Sequence, residues 1–344
     1  MKNKNRILTF IDAHPSLSSK EIHQGVGLDI SYATTKRLLT KLIADRLIET
    51  SGKGKSTVYK VAPSFELLRF IDVEEYYKKE IDERDIKSGF NFHLITKTLY
   101  QVNLFSEEEL QHLRDLQAHF KENSSQLSEN EFNKEMERLA IDLSWKSSEI
   151  EGNTYSLLET ERLLKEKITA EGKAKDEAIM LLNHKEALDF ILAYPDYLRS
   201  LTISKIENIH SILVKDLGID RNIRKRRVGI SGTNYRPLDN EFQIKEVLHN
   251  MCELVNSKKS VFEKALLVLV LLSYIQPFND GNKRTARIVS NAVLVDNKYC
   301  PVSFRTIDSI EYKKAMLLFY EQNNITAFKT IFMEQFEFAV NTYF

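Results

Sequence analysis

The residues with the most distinctive chemistry lie in one short stretch, residues 276–287, which reads QPFNDGNKRTAR. Gly281 permits the backbone turn that closes an anion-binding nest. Arg284 and Arg287 are three residues apart, so on a helix they lie on one face and can bind a polyphosphate from the side. Asp280 stands where a carboxylate can hold a Mg²⁺ ion that bridges those phosphates. This spacing predicts a phosphate-binding loop.

Two apolar segments must position this loop, residues 262–274 before it and residues 288–295 after it. Both are predicted to be buried helices, and the second is expected to begin near Asn282. The first N–H groups of a helix lack partners and the helix dipole is positive at that end, so this end attracts an anion. Phe278 is expected to anchor the loop in the core. The chain after residue 65 reads as successive amphipathic helices, which predicts a mainly α fold.

The loop resembles the signature of the Fic family, His-Pro-Phe-x-Asp/Glu-Gly-Asn-Gly/Lys-Arg-x-x-Arg, at every specified position except the first. The resemblance covers about residues 130–340 and implies a helical core that transfers AMP from ATP, with Mg²⁺, to a hydroxyl of a target protein or of the chain itself. Relatives with lysine at position 283 include a branch that transfers phosphate, so the transferred group stays open. The resemblance makes Asp280 the metal ligand. It assigns five residues to the nucleotide: Gly281, Asn282, Lys283, Arg284 and Arg287.

Gln276 occupies the position of the family's catalytic histidine. In the family that histidine takes the proton from the attacking hydroxyl, because its near-neutral pKa lets it accept and hold a proton. A glutamine amide can orient a hydroxyl but cannot take its proton, and losing a general base costs about 10²–10⁴ in rate. Three hypotheses follow: a nucleotide-sensing protein that binds ATP but transfers poorly; an enzyme that uses another base or was silenced deliberately; and a transcriptional regulator whose Fic part responds to nucleotide.

A second motif, residues 147–153, reads SSEIEGN and resembles the family's autoinhibitory pattern Ser/Thr-x-x-x-Glu-Gly/Asn. Ser147 and Glu151 are four residues apart and share one helical face. The resemblance implies an inhibitory helix near residues 133–151, in which Glu151 pairs with Arg287 and displaces the γ-phosphate. The alternative is an ordinary helix end capped by Gly152, which leaves Ser147 without a role.

Residues 227–237 alternate and then turn, and they resemble the β-hairpin flap that registers a target segment by backbone pairing in the family. We call residues 227–237 the flap segment. The preceding run, residues 221–227, holds five cations and is interpreted as a solvated entry to the flap, with a second nucleic-acid patch as the alternative. Seven residues are assigned to the target flap: Gly229, Ile230, Ser231, Gly232, Thr233, Asn234 and Tyr235.

The first 65 residues hold eleven Lys and Arg against five acids, a net charge of +6 in a chain whose net charge is zero. Three short helices and two strands around a basic tip, residues 51–56, are typical of a winged helix-turn-helix. In that family the third helix enters the DNA major groove and the wing contacts the backbone. The alternative is a module for protein contacts or dimerisation. The resemblance assigns DNA contacts to Ser31, Tyr32, Thr34, Thr35, Lys36, Arg37, Lys53 and Lys55.

Composition sets the remaining expectations. The two cysteines cannot form a disulfide framework, which favours a reducing compartment and a cytoplasmic location. The longest apolar run is far below the roughly 20 residues of a membrane span, so no membrane partner is expected. We predict a winged helix-turn-helix over residues 1–65, a helical connector over 66–130 and the Fic domain over 131–344. A homodimer contact near residues 70–104 is left open.

Overall fold

The computed structural model describes residues 2–344, apart from the side chains of Lys2 and Lys55, and it is mainly helical. The first module contains α1 (Lys2–Ala13), α2 (Ser19–Gly25), α3 (Tyr32–Ala44), β1 (Ile48–Ser51) and β2 (Val58–Val61). The two strands pair antiparallel. The predicted order of three helices and two strands is therefore present in the structure.

Local sequence explains where the helices of this module begin. Ser18 and Glu21 form the expected capping box, in which each side chain accepts a hydrogen bond from the other's N–H. Ser31 caps α3 by accepting from the Thr34 N–H at 3.1 Å. The module has its own apolar core, formed mainly by Ile7, Ile11, Ile22, Leu39 and Leu42.

Residues 65–104 form short turns of helix that lie against the C-terminal part of the chain. They include α4 (Phe65–Leu68), α5 (Val73–Tyr76), a π-helical turn (Leu94–Thr98) and α6 (Leu99–Gln101). Buried side chains from this stretch, such as Leu94 and Leu99, belong to the same apolar cluster as the helices that follow. This stretch therefore packs as part of the larger core.

The larger core is built from ten longer helices. They are α7 (Glu107–Gln126), α8 (Glu129–Ile150), α9 (Leu157–Glu166), α10 (Lys175–Ala193), α11 (Ile203–Leu213), α12 (Glu241–Ser257), α13 (Val261–Ile275), α14 (Asn282–Asp296), α15 (Ser309–Gln322) and α16 (Thr326–Tyr343). Every residue from 265 to 275 is buried, so α13 lies at the centre of the core. Helix α14 begins at Asn282, as predicted, and residues 276–281 join these two helices.

The flap segment corrects one prediction. In the part of the chain that the structure describes, the single two-stranded sheet is β1–β2, and residues 227–237 form no strand. The prediction that these residues pair as a β-hairpin is therefore wrong. The physical reason is that backbone groups of the segment bond elsewhere: the Arg236 N–H donates to Ser88 O at 2.9 Å, and Gly232 O accepts from Arg84.

None of the helices in the described residues combines the length and apolar character that crossing a membrane requires.

Candidate functional site

The loop between α13 and α14 is closed by its own side chains. The side chain of Asn282 accepts from the Phe278 N–H at 2.8 Å and donates to Phe278 O at 2.9 Å. Phe278 is fully buried and stacks on His210, with ring centroids 3.6 Å apart. Gln276 and Gly281 both adopt left-handed backbone, with φ of 52° and 77°. These features fix the loop at the N-terminus of a buried helix.

The N-terminus of α14 has the properties of an anion site. Gly281 precedes the helix and no side chain caps its first N–H groups. A Cβ at Gly281 would lie 3.3 Å from both His210 Cε1 and Val214 Cγ1, so this position is crowded and favours glycine. The Gly281 N–H donates to Oδ1 of Asp280 at 2.6 Å.

Two buried arginines lie beside this helix end. Arg284 and Arg287 are both almost fully buried, and Arg284 Nη2 lies 3.3 Å from Asp280 Oδ2. Within the described residues, Nε and Nη1 of Arg284 and Nη1 of Arg287 have no hydrogen-bond partner. Buried charged donors are costly unless they are satisfied, so these atoms fit a bound anion such as a phosphate.

Asp280 also fits a metal bound together with phosphates. Its side chain is 62% exposed, while the described residues contain no cluster of three metal-ligating side chains. Mg²⁺ commonly binds through one or two carboxylates plus substrate phosphates and water. The residues present therefore suit a metal that arrives with its nucleotide.

Glu151, at the end of α8, pairs with two cations of the loop. Its Oε1 lies 2.9 Å from Arg287 Nη2, and its Oε2 lies 2.9 Å from Lys283 Nζ. Arg287 also donates to Ser147, from Nε to Oγ at 2.8 Å and from Nη2 to the main-chain oxygen at 2.9 Å. Burial alone would raise the pKa of Glu151, but the charges of Arg287 and Lys283 outweigh it and bring the pKa to about 2. The carboxylate is therefore ionised at neutral pH.

This arrangement contains the predicted contact between Glu151 and Arg287. Ser147 lies beside them, and Gly152 follows with φ of 98°, the left-handed conformation of a helix end. The pairing of Glu151 with Lys283 was not predicted, because neither the spacing nor the resemblance pointed to it.

The side chain of Gln276 is held at both ends of its amide. Its Nε2 donates to Ser273 O at 2.7 Å, and its Oε1 accepts from Asn282 Nδ2 at 2.9 Å. Its main-chain oxygen accepts from Arg224 Nε at 2.6 Å. The amide can therefore orient a neighbouring group but offers no site for a proton.

A cavity of about 380 Å³ lies beside the loop, and neither Arg284 nor Arg287 is among the residues that line it. Glu151, Gln276, Asp280, Asn282 and Lys283 line one part of it. Residues 228–231 of the flap segment line another part, and Lys313, Met316 and Leu317 of α15 complete it. The loop, the Glu151 carboxylate and the flap segment thus share one space.

Residues 200–294 match the sequence profile of the Fic/DOC family. This part of the chain is a Fic/DOC family domain. The domain match includes the loop, Gln276 and the flap segment, whereas Glu151 lies before it.

Curated relatives of the Fic/DOC domain are named as protein adenylyltransferases. The chain is 28% identical over 180 residues to protein adenylyltransferase Fic from Nematostella vectensis, covering 48% of this chain and 40% of the relative. It is 28% identical over 162 residues to protein adenylyltransferase Fic from Aedes aegypti, covering 44% of this chain and 32% of that relative. The chain thus spans about a third to two fifths of the length of these relatives.

Solved structures share the fold. Fic-1 from C. elegans superposes with a TM-score of 0.60 at 21% identity, covering 69% of this chain and 72% of the other. A Fic domain containing signalling protein from Bacteroides thetaiotaomicron superposes with a TM-score of 0.59 at 20% identity, covering 67% of this chain and 95% of the other. These similarities establish a Fic fold around the Fic/DOC domain.

Two buried histidines near the domain's loop were missed by sequence reasoning. His210 lies 3.2 Å from the Thr285 hydroxyl, and burial lowers its pKa to about 4. Burial, with the nearby Arg287 and Arg284 charges, also lowers the pKa of His184 well below its usual range. Both are neutral at pH 7, and no histidine in the described residues lines the cavity. The one signal in the sequence was that both histidines lie in segments predicted to be amphipathic helices, which became α10 and α11.

Several flap-segment residues take positions other than those predicted. Gly229, Ile230 and Ser231 line the cavity, whereas Gly232, Thr233 and Asn234 do not. Tyr235 was predicted to face a target, but it is buried. It stacks on Tyr274 at 4.8 Å and donates its hydroxyl to Tyr274 O at 3.1 Å. Its large ring anchors the segment in the core, so the predicted role is wrong.

Arg224 corrects the interpretation of the basic run 221–227. The other four cations are exposed, but Arg224 is buried and donates to the main-chain oxygens of Gln276, Arg226 and Leu238. It therefore ties the phosphate loop to both sides of the flap segment. Nothing in the sequence distinguishes it from its charged neighbours.

The predicted DNA-facing residues of the first module divide into two groups. Five of them are exposed: Ser31, Tyr32, Lys36, Arg37 and Lys53. Thr34 is half-buried, and its hydroxyl shares a hydrogen bond with that of Ser31 at the start of α3. Thr35 is fully buried and its hydroxyl contacts His23 Nδ1 at 2.9 Å, so its predicted DNA contact is wrong. It shares the helix face of Leu39 and Leu42, which pack inside the module. The side chain of Lys55 lies outside the described residues.

Proposed function

We propose that this chain is an autoinhibited protein of the Fic adenylyltransferase type, which binds ATP with Mg²⁺ at the loop and transfers AMP poorly. The observation that carries the proposal is the Glu151 carboxylate bridging Arg287 and Lys283, each at 2.9 Å. A carboxylate that engages both cations competes with the end of a triphosphate for the same donors. The names of the curated relatives support the reaction class.

The residues divide the work as follows. The N-terminus of α14 and the guanidinium groups of Arg284 and Arg287 would hold the phosphates, and Asp280 would hold the metal. Bound Mg²⁺ would neutralise phosphate charge and orient the triphosphate. In AMP transfer an acceptor oxygen bonds to the α-phosphorus and pyrophosphate leaves, while the hydroxyl proton needs an acceptor. Gln276 hydrogen-bonds but cannot take that proton, which is the basis for impaired transfer.

The acceptor in this proposal is a hydroxyl of a protein or of the chain itself. The cavity-lining residues Gly229, Ile230 and Ser231 support it, because their position beside the loop suits an extended acceptor segment. Three further points stay predictions. They are the transfer of phosphate instead of AMP, as in a branch of relatives with lysine at position 283, a cytoplasmic location and a homodimer.

The test is incorporation of labelled AMP from ATP and Mg²⁺ by four proteins: the unaltered chain, Glu151→Gly, Gln276→His and the double variant. We expect robust labelling from the double variant alone, because inhibition and the missing base act separately. Robust labelling by Glu151→Gly would show that the chain uses another base. No labelling by the double variant, despite ATP binding, would contradict the transferase proposal.

A second candidate function is DNA binding by the first module, with the Fic/DOC domain as a nucleotide-responsive part. The observation that favours it is the exposed cationic side of α3, which carries Lys36 and Arg37, together with the exposed Lys53 at the tip between the strands. Binding of a random-sequence duplex that weakens steeply with added salt would support this function. No binding at low salt would exclude it.

A further inference from the structure

Three residues that precede the larger helices contact the flap segment. Asp82 accepts from Asn234 Nδ2 at 2.9 Å, Arg84 Nη2 donates to Gly232 O at 3.2 Å, and Ser88 O accepts from the Arg236 N–H at 2.9 Å. These bonds hold residues 232–236 to the stretch that follows the first module.

The other half of the segment is different. Residues 229–231 line the cavity beside the phosphate loop. Within the described residues, their N–H and C=O groups make no backbone hydrogen bond. Backbone groups without hydrogen-bond partners can pair with an added peptide strand. Residues 232–236 of the flap segment are therefore held by hydrogen bonds, whereas the backbone groups of residues 229–231 are available to bond a peptide.

Arg84 is the most firmly fixed of the three contacts. Its Nη1 lies 3.0 Å and 3.2 Å from the two carboxylate oxygens of Glu321, and both side chains are almost fully buried. Glu321 also accepts from the Tyr76 hydroxyl at 2.7 Å, and the Arg84 guanidinium lies 5.0 Å from the Tyr77 ring centroid. Removing Arg84 or Glu321 alone would leave the other charge buried without a partner, which is strongly destabilising. The pair therefore fixes the position of the Arg84 side chain.

Gly232 also lies close to α15. Its φ is 87°, and a Cβ there would lie 3.2 Å from Leu317 Cδ1. Leu317 itself lines the cavity. The hydrogen bond from Arg84 to Gly232 O therefore fixes the distance between the flap segment and α15, the helix that also lines the cavity.

We propose that Arg84 is a positioning residue for the protein acceptor: by bridging Glu321 and Gly232 O, it holds the flap segment so that residues 229–231 present a fixed backbone edge to an extended hydroxyl-bearing peptide. The part about the acceptor rests on the proposed transferase function. The part about the segment's rigidity does not.

The experiment compares three variants. Arg84→Met combined with Glu321→Gln removes both charges, so neither is stranded in the core. Arg84→Lys keeps a charge for Glu321 but cannot bridge it and Gly232 O at once. Arg69→Met is the matched control, since Arg69 donates to Gln322 Oε1 at 3.0 Å at the same end of α15 without contacting the flap segment.

The first measurement is amide hydrogen exchange. We expect the amides of Tyr235 and Arg236, which donate to Thr233 Oγ1 and Ser88 O, to exchange about tenfold faster in the double variant and in Arg84→Lys, because the hydrogen bond from Arg84 that orders the segment is lost. Exchange in α13 and α14 should stay unchanged, and Arg69→Met should match the unaltered chain. Unchanged exchange at Tyr235 and Arg236 would overturn the proposal. Faster exchange throughout the core would also overturn it, because Arg84 would then be a general structural residue.

The second measurement is labelling of a decapeptide library with a central serine, with all variants carrying Glu151→Gly and Gln276→His. We expect the apparent KM for the library to rise about tenfold in the Arg84 variants. The rate at saturating library and the affinity for ATP should stay the same. An unchanged KM in a series that labels the library would contradict the acceptor role. If no protein in the series labels the library, the transferase function fails, and the exchange result still decides the role of Arg84 in the segment.

Discussion

The side-chain amide of Asn282 donates to Oε1 of Gln276 across 2.9 Å, which joins the first residue of α14 to the residue at the family's base position. The same side chain bonds both the N–H and the oxygen of Phe278. One buried asparagine therefore holds the shape of the loop and the orientation of Gln276.

Replacing this asparagine should loosen the loop. We expect Asn282→Ala to lower the free energy of unfolding by about 2–4 kcal/mol, because it leaves buried polar groups of Gln276 and Phe278 without partners. Urea unfolding measures the loss. Asn279→Ala is the control, since Asn279 is exposed in the same loop and its side chain makes no hydrogen bond in the described residues. Equal stability of the two variants would contradict the role given to Asn282.

Removing the Glu151 carboxylate should strengthen ATP binding. We expect Glu151→Gln to bind ATP and Mg²⁺ about ten- to a hundredfold more tightly, because Arg287 and Lys283 no longer have a competing anion. Titration calorimetry measures the affinity. Glu149→Gln is the matched control: Glu149 lies on the same helix but pairs with Lys146 and the Ser309 hydroxyl instead of the loop. Similar affinities for all three proteins would rule out inhibition by Glu151.

Stability should depend on pH through His210. Its pKa is about 4 in the folded chain, because of burial, against an ordinary value of 6.5. The unfolded chain therefore binds the proton first as pH falls, so this contribution to stability is present above pH 6.5 and declines toward pH 4. Between pH 7.5 and 5 the expected loss from this residue is about 2 kcal/mol.

The corresponding measurement is urea unfolding of His210→Gln at both pH values. The variant should lose less stability on acidification than the unaltered chain does. His249→Gln replaces an exposed histidine and should keep the original pH dependence. If His210→Gln also keeps it, the buried histidine is not the cause.

DNA binding by the first module should depend on salt and on the exposed side of α3. Changing Lys36 and Arg37 to glutamine should weaken binding of a random duplex and reduce the slope of log affinity against log salt by about 2. Fluorescence anisotropy at several salt concentrations measures both quantities. Changing Lys225 and Arg226 tests the alternative basic patch, and we expect no effect. A reduced slope from that second pair would place the contact at residues 221–227 instead.

Much of the site could be predicted because its signals are local. Gly281, Arg284 and Arg287 fall within one short loop and the helix that follows. Outside the site, the capping pair Ser18 and Glu21 is equally local, because the two residues lie three apart. The contact of Glu151 with Arg287 joins distant segments, and it was predicted because each segment matched a motif. Sequence periodicity alone does not indicate which distant segments meet.

The errors have two origins. Alternation in residues 227–237 suggested paired strands, but it could not show that Ser88 and Arg84 would bond to that backbone. Thr35 was assigned by its neighbours in sequence, although the helical period puts it with Leu39 on the inner face. Arg224 and Lys283 gained their roles from tertiary contacts that leave no trace in local composition.

The burial of Glu321 limits where this protein can be cut. Within the described residues its carboxylate is satisfied by Tyr76 and Arg84 alone, and both lie far upstream of residues 200–294, which match the Fic/DOC family. A fragment beginning at residue 131 would keep the acid and lose both partners, leaving an ionisable group stranded in an apolar interior. A fragment made to contain the Fic/DOC domain should therefore start before residue 76 or carry a neutral residue at position 321, since a start at residue 131 would weaken its fold.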